Sequence, residues 1–109
     1  MISIMRGDHD SVTISRETKE GLAIPFEDGD ILYFSVKNSL DSKTYLLQII
    51  QTNFEPDGSA IFSFLPEHTN HLQAPKDYIY DVQLTDKDGI VTTLVWPEMF
   101  TLEGDVTRE

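Results

Sequence analysis

Residues 78–95 constrain the fold more than any other stretch, because they predict a β-hairpin. Strict alternation places four larger side chains on one face: Tyr78, Tyr80, Val82 and Leu84. The next four residues, Asp-Lys-Asp-Gly at 86–89, suit a type I turn, since Asp favours its first position and Gly supplies a positive φ. Residues 90–95 are mostly β-branched and favour a second strand. The sequence therefore predicts a β domain organised around this hairpin.

Other apolar runs predict further short strands, about seven in all, separated by turn signals. Residues 2–5 suit an edge strand, and residues 11–15 and 31–36 alternate in the same way. Residues 45–52 and 59–65 flank Glu-Pro-Asp-Gly at 55–58, which predicts a second hairpin. Pro97 is expected to end its strand or to lie at an edge, with residues 99–102 as the last strand.

One helical turn is expected after the strand at 59–65. Pro66 suits a first helical position, Glu67 follows it, and Leu72 is expected to pack inward. Several short strands with intervening turns predict a single domain over residues 1–109, folded as an antiparallel two-layer sandwich. The helical turn followed by Tyr78 and Tyr80 favours an immunoglobulin-like version, in which a tyrosine hydroxyl bonds back to the upstream backbone. A small β-barrel is the alternative.

The charge balance limits the partners. The formal net charge is −11, from 19 acidic and 8 basic side chains, and such a surface repels phosphate backbones, so we expect no nucleic-acid partner. Solubility explains this charge, and steering toward a basic protein is the functional alternative. The sequence has no apolar run long enough to predict a membrane span, and residues 1–6 lack the pattern of a signal peptide.

Motifs that would carry chemistry are weak in this chain. His68 and His71 share a face of the predicted helical turn, but a metal would need Glu67 as a third ligand, and surface histidines are the simpler interpretation. A calcium loop starting at Asp86 fails because its sixth and twelfth positions hold Val91 and Pro97. The sequence contains neither a nucleophile elbow nor a phosphate-binding glycine loop. We therefore expect a non-enzymatic protein without a cofactor.

The aromatic residues allow one ligand-binding hypothesis. A sugar-stacking platform would use the following side chains: Tyr33, Tyr45, Tyr78, Tyr80 and Trp96. Tyrosines within strands more often belong to the core, with only the hydroxyl reaching the surface. A carbohydrate- or ligand-binding sandwich is therefore the alternative function.

Met-Arg-Gly-Asp at residues 5–8, followed by Val-Thr-Ile at 12–14, resembles the opening of the N-terminal domains in phage baseplate upper proteins and related tail proteins. His9 stands where those proteins usually have threonine. Similar strand and turn signatures continue along nearly the whole chain: residues 26–36, 61–69, 78–84, 89–93, 100–102 and 105–108. The resemblance implies an immunoglobulin-like structural protein of a phage or prophage virion, in the tail, baseplate or neck.

The same resemblance implies a partner and a location. The protein would be made in the bacterial cytoplasm and assembled into the virion, where it would dock on other subunits or on itself as a trimer or hexamer. Sheet edges are the expected means of contact. The candidate contact residues lie near the chain ends: Ile2, Ile4, Arg6, Met99, Phe100, Leu102 and Val106. The alternative is that these end segments simply close the sandwich.

Overall fold

The computed structural model describes residues 1–104 and contains seven strands and one helical turn within them. The elements are β1 (Ile2–Met5), β2 (Asp10–Ile14), β3 (Ile31–Lys37), β4 (Leu47–Gln51), β5 (Ala60–Phe64), α1 (Pro66–Thr69), β6 (Lys76–Thr85) and β7 (Val91–Glu103). A five-stranded sheet has the order β1-β7-β6-β3-β4, and β2 pairs with β5 in a second sheet. The predicted all-β fold with one short helix is confirmed. Within the described part of the chain, no helix is long and apolar enough to cross a membrane.

The hydrophobic core lies between the two sheets. The ring of Phe34 on β3 is fully buried and contacts four other rings at centroid distances of 5.0 to 6.2 Å: Phe62, Phe64, Tyr80 and Phe100. Two of these rings come from β5, so Phe34 joins the sheets directly. The alternation predicted for β3 and β6 is confirmed, because the expected inward residues are buried. On β5, every second residue is buried in the same way: Ala60, Phe62 and Phe64.

The main hairpin forms as predicted. β6 pairs antiparallel with β7, and the Gly89 N–H donates to the Asp86 carbonyl at 2.9 Å with Gly89 at a φ of 82°. Pro97 does not end the second strand, which continues to Glu103. Instead, Pro97 lies where the β6–β7 register shifts, on the part of β7 that β1 does not cover. This is the edge position that a proline tolerates.

The second predicted hairpin is wrong. β4 pairs with β3, whereas β5 pairs with β2 in the other sheet. The turn itself forms, since the Gly58 N–H donates to the Glu55 carbonyl at 2.8 Å. However, Gly58 packs so closely on Pro25 that a Cβ there would lie 2.2 Å from the proline Cβ, and its carbonyl accepts from the Phe26 N–H at 2.9 Å. These contacts direct β5 into the second sheet.

The sheet is mixed rather than antiparallel, which corrects a second expectation. β1 runs parallel to β7, with Ile2 opposite Phe100 and Met5 opposite Glu103. A parallel pair cannot be joined by a tight hairpin, and here nearly the whole chain separates the two strands. The chain end therefore returns to the sheet beside its own beginning, a pairing that no local turn signal encodes.

The helical turn connects several distant segments. α1 begins at Pro66, as predicted, and Leu72 is buried. The Tyr78 hydroxyl donates to the Gln73 carbonyl at 2.8 Å, so the predicted tyrosine corner is confirmed. The Gly7 N–H donates to Thr69 Oγ1 at 2.9 Å and fastens the turn after β1 to α1.

Candidate interaction surface

The candidate contacts at the chain ends differ in how far their side chains are exposed. Ile4, Phe100 and Leu102 belong to the hydrophobic core, so their side chains are not available at the surface. β1 and β7 pair with each other, and these three side chains point from the two strands into the core. Ile2 packs partly against the same core, and Met99 is exposed. Arg6 is half-buried, with its guanidinium donating to the Leu72 carbonyl at 3.2 Å, and Val106 lies outside the described residues.

The opposite edge of the five-stranded sheet has a different character. β4 pairs with β3 in unbroken register, from Leu32 opposite Gln51 to Val36 opposite Leu47, and no strand of the described chain pairs with its other side. It lies in residues 44–54, the longest run without a charged side chain when histidine is counted as neutral. The sheet therefore ends in a strand without a bulge, and no other strand of residues 1–104 pairs with its outer side.

Exposed apolar side chains accompany this strand. Ile49 lies opposite Phe34 and packs on the core, so the next residue, Ile50, points to the outer face and is 55% exposed. Tyr45 is 53% exposed and Leu46 is 37% exposed. We call these residues together with Gln48 and the outer backbone of β4 the β4 edge. Sequence reasoning missed this surface, although the uncharged run was a signal for it.

Side-chain hydrogen bonds hold the β4 edge in place. Gln51 Nε2 donates to the Ile61 carbonyl at 2.7 Å, and its Oε1 accepts from the N–H groups of Thr52 and Asn53. Gln48 Nε2 donates to Ser35 Oγ at 3.0 Å on the outer face. A partner would therefore meet a strand that is already ordered, which lowers the entropic cost of binding.

A shallow depression of ≈ 230 Å³ adjoins the β4 edge on the outer face. Its lining combines two tyrosines with polar side chains: Tyr33, Ser35, Tyr45, Gln48, Gln83, Thr85 and Val91. The Lys37 ammonium lies 5.3 Å from the centroid of the Tyr45 ring. Tyr78 and Tyr80 are buried in the core and take no part in a surface platform, and Trp96, 76% exposed, lies on β7 outside this depression.

A second depression of ≈ 150 Å³ lies on the same face and contains the half-buried carboxylate of Asp81. Burial raises the pKa of Asp81, and the nearby charge of Lys37 partly offsets this shift. Within residues 1–104, no group of three or more histidine or acidic side chains is placed to hold a metal ion. His68 instead accepts a hydrogen bond from the Leu65 N–H through Nδ1 at 2.9 Å, at the start of the helical turn.

Comparison with known proteins identified no relative of this chain. Neither a family model, nor a curated protein, nor a solved structure matches this chain. The functional inference therefore depends on the chain's own residues, and above all on the β4 edge.

Proposed function

We propose that this chain is a non-enzymatic structural module of a phage or prophage virion, in the tail, baseplate or neck, and that it acts by binding other protein subunits. The observation that carries the proposal is the β4 edge, which is free of bulges, uncharged and bordered by exposed apolar side chains. Natural proteins usually protect such an edge with a charge, a proline or a bulge, because it can pair with other chains. β4 contains none of these in its sequence Leu-Gln-Ile-Ile-Gln.

An open edge favours protein over small molecules as the partner. Extended segments add to a sheet edge through main-chain hydrogen bonds, and side-chain contacts then give specificity. Ile50 and Leu46 would supply those contacts from the β4 edge.

The Arg-Gly-Asp turn supports a structural role for the segment that carries the resemblance to phage tail proteins. Arg6 and Gly7 bond to Leu72 and Thr69, so the turn fastens β1 to the helical turn within the molecule. The internal contacts of this turn therefore explain it as part of the fold.

The proposed place in the virion can be tested on purified phage particles. Phage particles induced from the bacterium that encodes this chain would be purified by density gradient and analysed by mass spectrometry and immunogold labelling. We expect peptides of this chain in stoichiometric amounts, with labelling confined to the tail, baseplate or neck. Intact particles that contain known tail subunits but lack this chain would contradict the virion role.

A second function, carbohydrate binding, is favoured by the depression that Tyr33 and Tyr45 line. Tyrosine rings stack on sugars, and the amides of Gln48 and Gln83 can bond to sugar hydroxyls. A glycan screen should then give a ligand whose binding is lost in Tyr45→Ala and kept in Trp96→Ala, since Trp96 does not line the depression. Equal binding by both variants would exclude this depression as the binding site, and a screen without any ligand would contradict the function.

A further inference from the structure

We propose that the β4 edge pairs antiparallel with the β4 edge of a second copy of this chain, so that two five-stranded sheets join into one across a two-fold axis. This inference deepens the proposed function, since it names a second copy as one of the subunits bound. Two-fold dimers use the same patch on both subunits, and an antiparallel strand pair is self-complementary in this way.

The distribution of charge favours a second copy at this edge. A chain with a net charge of −11 repels its own copies over most of its surface. Residues 44–54 carry no charge, so the segments that would pair bring no carboxylates of their own together. The apolar side chains exposed there, Ile50 and Leu46, would gain from burial in the contact.

The residues that flank the uncharged run specify an orientation. Lys43 precedes it and Glu55 follows it, and both side chains are exposed. In an antiparallel pair centred on Ile49, Lys43 of one copy lies at the same end as Glu55 of the other, because each is six residues from Ile49. The two-fold axis repeats this pair, which gives two Lys–Glu pairs. A parallel arrangement would instead place Lys43 beside Lys43 and Glu55 beside Glu55.

An antiparallel pair centred on Ile49 also matches the two faces of the strands. It places Leu47 opposite Gln51 and Gln48 opposite Ile50, while Ile49 meets its own copy. Residues that face the core in one subunit then meet core-facing residues of the other, and outer residues meet outer residues. The exposed Ile50 of one copy is then covered by the side chains of Gln48 and Leu46 of the second copy.

The test measures molar mass by light scattering after size exclusion, on the full 109-residue chain across a range of concentrations. We expect a dimer of twice 12.4 kDa that dissociates on dilution. Lys43→Glu or Glu55→Lys turns two attractive pairs into repulsive ones, so each should raise the dimer Kd by roughly ten-fold. The double variant Lys43→Glu/Glu55→Lys restores both pairs and should return the Kd to near the wild-type value.

Matched controls separate the contact from general charge effects. Lys87→Glu and Asp88→Lys make the same changes of net charge in the β6–β7 turn, away from the β4 edge, and should leave the Kd unchanged. Ile50→Lys places a charge on the β4 edge and should abolish the dimer, whereas Ile90→Lys, at an isoleucine of similar exposure in the β6–β7 turn, should not. Far-UV circular dichroism checks that each variant is folded.

Three outcomes would overturn the proposal. One is a wild-type chain that stays monomeric at every concentration, and another is a dimer that Ile50→Lys does not weaken. The third is a double charge reversal that fails to recover what the single reversals lose, because it would exclude the antiparallel register centred on Ile49. The virion role is separate: a monomer that is nevertheless present in purified particles would overturn only the dimer, and a dimer absent from particles would overturn only the virion role.

Discussion

The two edges of the five-stranded sheet are built differently. At the β1 edge, the turn after the strand bonds back to the molecule: the Arg6 N–H donates to the Glu103 carbonyl at 3.0 Å, and the Gly7 N–H donates to Thr69 Oγ1 at 2.9 Å. At the β4 edge, Gln48 donates to Ser35 of β3, and Gln51 donates to the Ile61 carbonyl of β5. Within residues 1–104, β1 and β4 each have one side without a partner strand, but the turn after β1 is fastened to α1. We call the β1 side of the sheet the closed side and the β4 side the open side.

The strand next to β1 is protected as well. Between Tyr80 and Val82, β6 advances by two residues while β7 advances by three, from Glu98 to Val95, and Pro97 lies in this irregular section. Bulges and prolines prevent another chain from pairing with an edge. Because β7 carries these protections beside β1 and β4 carries none, we infer that the β4 edge is available to a partner.

The largest expected effect is a difference in unfolding free energy between a substitution on the closed side and one on the open side. Phe100→Ala removes a fully buried ring from the closed side and should lower the free energy of unfolding by about 3–5 kcal/mol. Ile50→Ala removes an exposed side chain from the open side and should change it by less than about 0.5 kcal/mol. Urea titration of both variants at a concentration that keeps the chain monomeric measures the difference. Similar losses for both would mean that the β4 edge belongs to the core.

The next effect concerns the turn that closes the β1 edge. Gly7 has a φ of 84°, and a Cβ there would lie 2.8 Å from Asn70 Oδ1. Gly7→Ala therefore combines backbone strain with a small shift of the Asn70 side chain and should cost about 1–2 kcal/mol. Gly21→Ala is the matched control, because Gly21 has a φ of 85° but open space around it, and should cost only about 1 kcal/mol. Equal losses in thermal unfolding would show that the contact with Asn70 adds nothing.

Much of the fold follows from local sequence. Alternation on β3 placed Leu32, Phe34 and Val36 in the core, because a strand with one buried face must repeat every second residue. The main hairpin and the helical turn followed from Gly89 and Pro66, whose backbone preferences act within a few residues. These features depend on near neighbours, so the sequence contains the information needed to predict them.

The pairing of distant strands does not follow in this way. The turn that ends at Gly58 has the chemistry of a hairpin turn, yet its contact with Pro25 sends β5 into the other sheet. The parallel β1–β7 pair joins Ile2 to Phe100. The open edge at β4 results from these long-range choices, so the candidate surface could not be located from residues 44–54 alone.

A smaller effect is expected at the tyrosine corner, which supports the closed side. Tyr78→Phe removes the hydrogen bond from the hydroxyl to the Gln73 carbonyl while the ring keeps its packing. The loss should be about 1–1.5 kcal/mol, since one neutral hydrogen bond is removed and a half-buried carbonyl loses its donor. Tyr45→Phe, at an exposed tyrosine, should be neutral. The midpoint of chemical denaturation checks both, and a neutral Tyr78→Phe would mean that the corner does not stabilise the fold.

The smallest effect is a pH dependence on the closed side. Burial, with the charge of Glu98 and its hydrogen bond to the hydroxyl, raises the pKa of Tyr80 to about 12. An unfolded tyrosine ionises near pH 10, so stability is intact below about pH 10 and falls between about pH 10 and 12, where only the unfolded chain has lost the proton.

Glu98→Gln removes the charge but leaves the burial, which is the larger cause of the shift. The pKa of Tyr80 should therefore fall by less than about one unit and stay above the value of about 10 for an exposed tyrosine. Ultraviolet titration of ionised tyrosine, taken as the difference between each protein and its Tyr80→Phe counterpart, measures the midpoint. A midpoint that returned to about 10 in Glu98→Gln would make the carboxylate, rather than burial, the cause of the shift. The side chain would then be less enclosed than its position beside Phe34 and Phe100 indicates.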